Sequence, residues 1–135
     1  MFLSKTTTYA IRILIFMATD EQPLFSAQYL FEKLNISNRY LRRLLTDLTK
    51  HGFITSLRGR NGGFVFARKM DSIFLSEIIE AVEGFNLLET CIMGRTDCKL
   101  SPVCAMHGSW LEIRDNMKKT FSLTSLQDIK NSSTT

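Results

Sequence analysis

Ser37-Asn38-Arg39-Tyr40-Leu41-Arg42-Arg43-Leu44-Leu45-Thr46-Asp47-Leu48-Thr49-Lys50 carries two opposed chemistries at helical spacing. At about 100° per residue, Leu41, Leu44, Leu45 and Leu48 fall on one side of a helix. Arg39, Arg42, Arg43, Thr46 and Lys50 fall on the other, within an arc of about 100°. The leucine side needs a core to dock on. The cationic, hydroxyl-bearing side has the groups that reach phosphates and base edges in a DNA major groove. Alone, the pattern also fits a solvated amphipathic helix, so its flanks must choose between the two.

Upstream, Asn35-Ile36-Ser37 reads as a turn, with Ser37 as the helix cap. Ser26 caps an earlier short helix over 27–34, with Leu30, Phe31 and Leu34 inward. Before that, Leu3, Thr7, Ala10, Ile11, Leu14, Ile15 and Ala18 give a first helix over residues 4–18, broken by the Pro23 region. Downstream, His51 caps the helix end and Gly52 takes the position after it. Two strands then follow, 53–57 and 64–67, around Arg58-Gly59-Arg60-Asn61-Gly62-Gly63. Three glycines and an asparagine allow positive φ, so this is a hairpin with two arginines at its tip. A basic hairpin behind a basic helix is a wing, able to insert Arg58 or Arg60 into a minor groove. No Gly-Lys-Ser/Thr follows and a strand comes next, which argues against a nucleotide-binding loop. The expected fold is mainly α with a small β-hairpin: a winged helix-turn-helix with a long C-terminal dimerisation helix.

Charge supports this division. Residues 1–70 hold 11 Lys and Arg against 4 Asp and Glu, whereas residues 71–135 hold 6 against 9. Only the first half is suited to a polyanion. Hydrophobic residues at 44% are enough for a core. No apolar run approaches the roughly 18 residues of a membrane span, and Arg12 interrupts the nearest one, 10–18. No secretory signal pattern is seen at the start, so a cytoplasmic location without membrane partners is expected.

After the hairpin, a short helix is expected over 75–83, stopped by Gly84, then a loop over 85–102. A last long helix is expected from about Val103, with Val103, Met106, Trp110, Ile113 and Met117 stepping by 3, 4, 3 and 4 residues. That seam, with a tryptophan in it, suggests a homodimer helix packed on its symmetry mate. Leu123, Leu126 and Ile129 give one further apolar turn. The expected organisation is a DNA-binding domain over 1–70, a metal-binding loop and dimerisation helix over 71–130, and a disordered tail over 131–135.

Cys91, Cys98, Cys104 and His107 form a donor cluster, spaced Cys-x6-Cys-x5-Cys-x2-His. Three cysteines do not make a disulfide framework. Thiolates select zinc, copper(I) or iron–sulfur clusters, and Gly94 and Pro102 suit a loop that wraps an inorganic core. The gaps are wider than the tight pairs of structural zinc knuckles, yet spacing alone does not choose between zinc and iron–sulfur. A Cys104/His107 nucleophile pair would make the chain an enzyme, but no orienting third residue or oxyanion turn accompanies it.

Taken together, Ser4-Lys5 with Tyr9-Ala10, Ile36-Ser37-x-x-Tyr40-Leu41, Arg58-Gly59-x-x-Gly62-Gly63-Phe64, Ile78-Ile79-x-Ala81-Val82-Glu83-Gly84 and the cysteine loop resemble the IscR/NsrR-like family of iron–sulfur winged helix-turn-helix transcriptional regulators. The resemblance spans residues 1–130. It implies a homodimer with crossed C-terminal helices on palindromic double-stranded DNA. It implies an iron–sulfur cluster, with [2Fe-2S] favoured and [4Fe-4S] as the alternative, whose response to iron, oxidation or nitric oxide controls DNA affinity. By position, Ser37, Asn38, Arg39, Tyr40, Arg42 and Arg43 match the family's groove-facing helix, and Arg58 matches the wing arginine. Cys91, Cys98 and Cys104 match the cluster ligands, with His107 as the fourth. The chain departs from the pattern in three places. The first cysteine gap holds one residue more than is usual, Thr8 stands where one branch has a ligating carboxylate, and Arg42 and Arg43 replace acidic and amide residues. A different preferred operator follows from the last of these.

Overall fold

The computed structural model describes residues 3–84 and 104–133. Helix α1 (Lys5–Thr19) is followed by α2 (Ala27–Leu34) and α3 (Asn38–Lys50), then strands β1 (Ile54–Leu57) and β2 (Gly63–Phe66). A 3₁₀ turn, Met70–Ser72, leads to α4 (Leu75–Glu83), and among the described residues α5 (His107–Leu123) and α6 (Leu126–Ser133) follow. This is the mainly helical winged architecture that the hydrophobic periodicity implies.

The caps account for most of the boundaries. Ser4 Oγ accepts the Thr7 N–H at 3.2 Å to open α1, and Ser26 Oγ accepts the Tyr29 N–H at 3.0 Å to open α2. Asn35 ends α2 in the left-handed region at φ 54°, a conformation asparagine tolerates better than most residues. Ser37 occupies the N-cap of α3, but its side chain makes no capping hydrogen bond. Gly52 follows α3 at φ +81° in the expected left-handed position. At α4, Glu77 Oε2 accepts the Phe74 N–H at 3.0 Å.

Strands β1 and β2 pair antiparallel, with Ile54 opposite Phe66 and Leu57 opposite Gly63. Phe25, just before α2, exchanges two backbone hydrogen bonds with Phe64, at 3.0 and 2.7 Å, and so fastens the hairpin base to the helix-turn-helix. In the hairpin loop only Gly59 has positive φ, at 122°. Gly62 and Gly63 serve close approach instead. A Cβ on Gly62 would fall on the Leu57 carbonyl, and one on Gly63 would lie 2.6 Å from the Phe25 oxygen.

One apolar core runs through the molecule, from Ala10, Ile13 and Leu14 of α1 through Leu30, the α3 leucines and Ile54 to Ile73, Ile78 and Leu126. In α1 the buried face includes Ile13 and Met17, absent from the expected set, while Ile11 and Ile15 are half-buried at its border. The helix is covered on several sides, because α3, α4 and α6 all pack on it. Phe31, expected inward, is 37% exposed; Leu30 and Leu34 suffice to fill the contact beneath α2.

Two boundaries expected for the C-terminal part are corrected. Helix α5 starts at His107 rather than near Val103, which lies outside the described residues. Its half-buried face runs through Trp110, Leu111, Arg114, Met117 and Phe121, while Met106 and Ile113 of the expected seam are 42% and 49% exposed. The inward contact is with α4, so the seam straddles the edge of that contact. Finally, residues 131–133 are helical, not a disordered tail. Ser125 and Asp128 cap α6 reciprocally, at 3.1 and 3.0 Å, and Leu126 is fully buried against the core.

Glu83 ends α4 against the start of α1. Its Oε1 accepts the Ser4 N–H at 2.6 Å and the Thr7 hydroxyl at 2.7 Å. Burial pushes the Glu83 carboxyl up, but the hydrogen bonds from the Ser4 and Thr7 side chains and the Ser4 backbone outweigh it and hold it below the usual carboxylate range.

Two stability predictions follow from these contacts. Gly63→Ala is expected to destabilise the fold by about 1–3 kcal/mol, because the added methyl must push the Phe25 backbone away; denaturant unfolding would measure it. For Glu83, the depressed folded pKa means that its contribution is complete above the unfolded value of about 4.3 and is lost as pH falls through the folded value. Glu83→Gln should therefore lose stability at neutral pH and show a flatter stability–pH curve over that acid window, measurable by thermal melts from pH 7 down to pH ~3.

Candidate nucleic-acid interface

The burial of Leu41, Leu44, Leu45 and Leu48 leaves α3 one way to face. Ser37, Asn38, Arg39, Arg42, Arg43, Thr46 and Lys50 are all exposed on the opposite side. Arg42 is partly organised by its neighbour, donating from Nε to Asn38 Oδ1 at 3.2 Å. Thr46 donates its hydroxyl back to the Arg42 carbonyl at 2.9 Å, so its oxygen is left chiefly as an acceptor. With no capping side chain, the first-turn N–H groups of α3 face outward beside Ser37, where the positive end of the helix dipole favours an anion.

Tyr40 does not share this exposure. It is half-buried, its hydroxyl lies 2.6 Å from Thr6 Oγ1, and its ring meets the edge of Tyr9 with centroids 5.6 Å apart. Of the predicted helix residues it is the one turned toward α1.

In the hairpin, Arg58, Gly59, Arg60 and Asn61 are exposed at the tip, and the turn is closed by the Gly62 N–H donating to the Gly59 carbonyl at 3.0 Å. The Phe25–Phe64 bridge ties the base of this hairpin to the segment that leads into α2. Among the described residues, no carboxylate forms an ion pair with Arg39, Arg42, Arg43, Lys50, Arg58 or Arg60. Arg68, basic and close by in sequence, is different: it pairs with Glu77 at 3.1 Å and also donates to the Ser72 carbonyl. Its charge is spent on joining the hairpin to α4. Unpaired cations on an exposed face are the electrostatic requirement for holding phosphates.

The cysteine-rich stretch is described only in part. Cys91 and Cys98 lie outside the described residues, and the structure brings together Cys104 and His107. Cys104 is a half-buried free thiol, and its carbonyl accepts the His107 N–H at 3.1 Å, so the two share the turn that opens α5. A thiol and an imidazole in one solvent-reaching turn suit a soft metal or cluster. Neither is sealed in the core, so the donor chemistry fits the group that the spacing suggests. Among the described residues, no three potential ligands form a group.

Sequence inspection missed Glu83, Thr6 and Thr7, which join three helix ends. Their signal was weak: hydroxyl and acidic residues at helix termini are common, and their pairing across 76 positions leaves no local mark.

No helix among the described residues is long and apolar enough to cross a membrane. Residues 3–132 match the Rrf2 family model, described as an iron-dependent transcriptional regulator. The chain is 35% identical over 109 residues to the HTH-type transcriptional regulator NsrR of Bacillus licheniformis, covering 78% of this chain and 76% of that one. It is 29% identical over 133 residues to the HTH-type transcriptional regulator IscR of Photorhabdus laumondii, covering 97% and 80%. Among solved structures, CymR of B. subtilis, described as the global cysteine regulator of that organism, superposes with a TM-score of 0.77 at 25% identity over 96% of both chains. IscR of T. potens shares the fold, with a TM-score of 0.74 at 22% identity over 97% of this chain and 87% of that one. These relatives are regulators rather than enzymes. With the model matching almost end to end, the chain belongs to the Rrf2 family of DNA-binding transcriptional regulators.

Proposed function

We propose that the chain is a cytoplasmic homodimer that binds a palindromic operator, reading it with α3 and the hairpin tip and tuning its affinity through an iron–sulfur cluster. The observation that carries the DNA half is that Arg39, Arg42, Arg43 and Lys50 of α3 and Arg58 and Arg60 of the hairpin are all exposed and, among the described residues, form no ion pair with a carboxylate. In this reading Ser37, Asn38, Arg39, Arg42 and Arg43 enter the major groove, while Arg58 and Arg60 reach the flanking minor groove. Ile113 on α5 and Met106 at its N-cap, apolar groups exposed among the described residues, support pairing of two such helices. Two subunits would present two recognition helices to half-sites about one helical turn apart.

Cys91, Cys98 and Cys104, with His107 as fourth ligand, would hold the cluster, in keeping with the IscR and NsrR relatives. When bound, the group supplies a link among these side chains that is sensitive to oxidation, iron supply and nitric oxide. The turn 104–107 opens α5, and α5 packs on α4, so ligation at Cys104 and His107 acts on the elements that carry the reading head. The likeness to CymR favours one second reading: the same DNA binding with a thiol switch or a zinc ion in place of the cluster.

Anaerobically purified protein is expected to be brown, with iron and sulfide in near-equal amounts, and Cys98→Ala should remove both the colour and the binding to a duplex enriched from a randomised pool by the wild-type protein. A variant with unchanged affinity and site preference defeats cluster control, and about one zinc per chain without visible absorbance supports the second reading. Arg42→Ala should lower the salt slope of binding by about one unit. Arg58→Ala should cost about 1–3 kcal/mol, chiefly on A·T-rich flanks; an equal loss on every sequence would mark Arg58 as a phosphate contact only.

A further inference from the structure

The start of α1 meets two other helix ends, and those meetings involve polar groups that the cationic surface does not use. Thr7, fully buried, donates its hydroxyl hydrogen bond to Glu83 at the end of α4, and Ser4 caps the same turn. One residue earlier, Thr6 turns the other way and places Oγ1 2.6 Å from the Tyr40 hydroxyl in the first turn of α3. Further along α1, Arg12 donates to the Leu34 carbonyl at the end of α2, at 3.2 Å. Helix α1 therefore holds both sides of the turn 35–37, from an end that Glu83 anchors.

The leucine stripe of α3 settles which face is buried, but apolar contact is non-directional and tolerates small rotations and slides. A hydrogen bond is directional. Base readout demands side chains held within about 10–20° of their working geometry. We propose that the Thr6–Tyr40 hydroxyl pair sets the rotation of α3 on the core, which makes Tyr40 a positioning residue for sequence reading rather than a duplex contact. The proposal rests on the duplex-binding reading above. Its physical basis is that the Tyr40 hydroxyl and ring are already engaged, by Thr6 and by Tyr9.

The test compares full-length protein binding to the pool-enriched duplex and to a scrambled duplex of equal length and composition. Thr6→Val and Tyr40→Phe should each lower the ratio of the two affinities by roughly 3- to 10-fold, while Thr6→Ser keeps it. The double variant should lose no more than either single one, since each removes the same bond. Tyr40→Phe keeps the ring against Tyr9, so it tests the pair even if Thr6→Val does not fold. In that variant, amide exchange at residues 41–45, the first hydrogen-bonded amides of α3, should quicken without DNA. A wild-type ratio for Thr6→Val, additive losses in the double variant, or lost binding with unchanged exchange in Tyr40→Phe would each overturn the positioning role and make Tyr40 a direct contact. If the wild-type protein enriches no sequence at all, the duplex-binding reading fails and this one with it.

Discussion

Burial of four leucines on one side of α3 is the constraint on which the remainder depends. Those side chains meet α1, α2 and β1 in one continuous core, and truncating any of them to alanine would forfeit about 2–5 kcal/mol of a stability that totals only some 5–15. The arginines are exposed because the leucines cannot be. The exposed cationic face and the buried core are thus one fact seen from opposite sides of one helix.

Much of this was legible beforehand because it is local. Opposed faces on α3, the serine cap at 26, Gly52 beyond the helix end and the arginine-tipped hairpin all follow from spacing within a dozen residues. The glycines were assigned correctly to the hairpin but for an incomplete reason. Only Gly59 needs positive φ, while Gly62 and Gly63 are demanded by neighbouring carbonyls, which a sequence cannot display. Phe31 shows the same limit, since helical spacing marks an apolar side but not how wide a contact its neighbours will cover.

The C-terminal part was harder, because its order is supplied from far away. Residues 122–133 are Ser/Thr-rich with one visible apolar turn, yet what that turn meets is not local: Leu126 is buried in the core beside α1, and its N–H donates to the Ile73 carbonyl at 2.9 Å. The reciprocal Ser125–Asp128 cap was the available clue, a short motif easily passed over in a serine-rich stretch. In the candidate site, exposure of Arg39, Arg42, Arg43, Arg58 and Arg60 follows from patterning. The inward turn of Tyr40 and the capture of Arg68 by Glu77 do not, because each partner is chosen by tertiary packing.

The two backbone hydrogen bonds between Phe25 and Phe64 have an effect that outlasts their modest energy. They tie the base of the hairpin to the segment before α2, so in the proposed reading its tip and α3 would meet DNA as two prongs at a set spacing. A duplex touched by both prongs must offer its grooves at one separation. Tracts too stiff or too wide to comply are then penalised at base pairs that no side chain reaches.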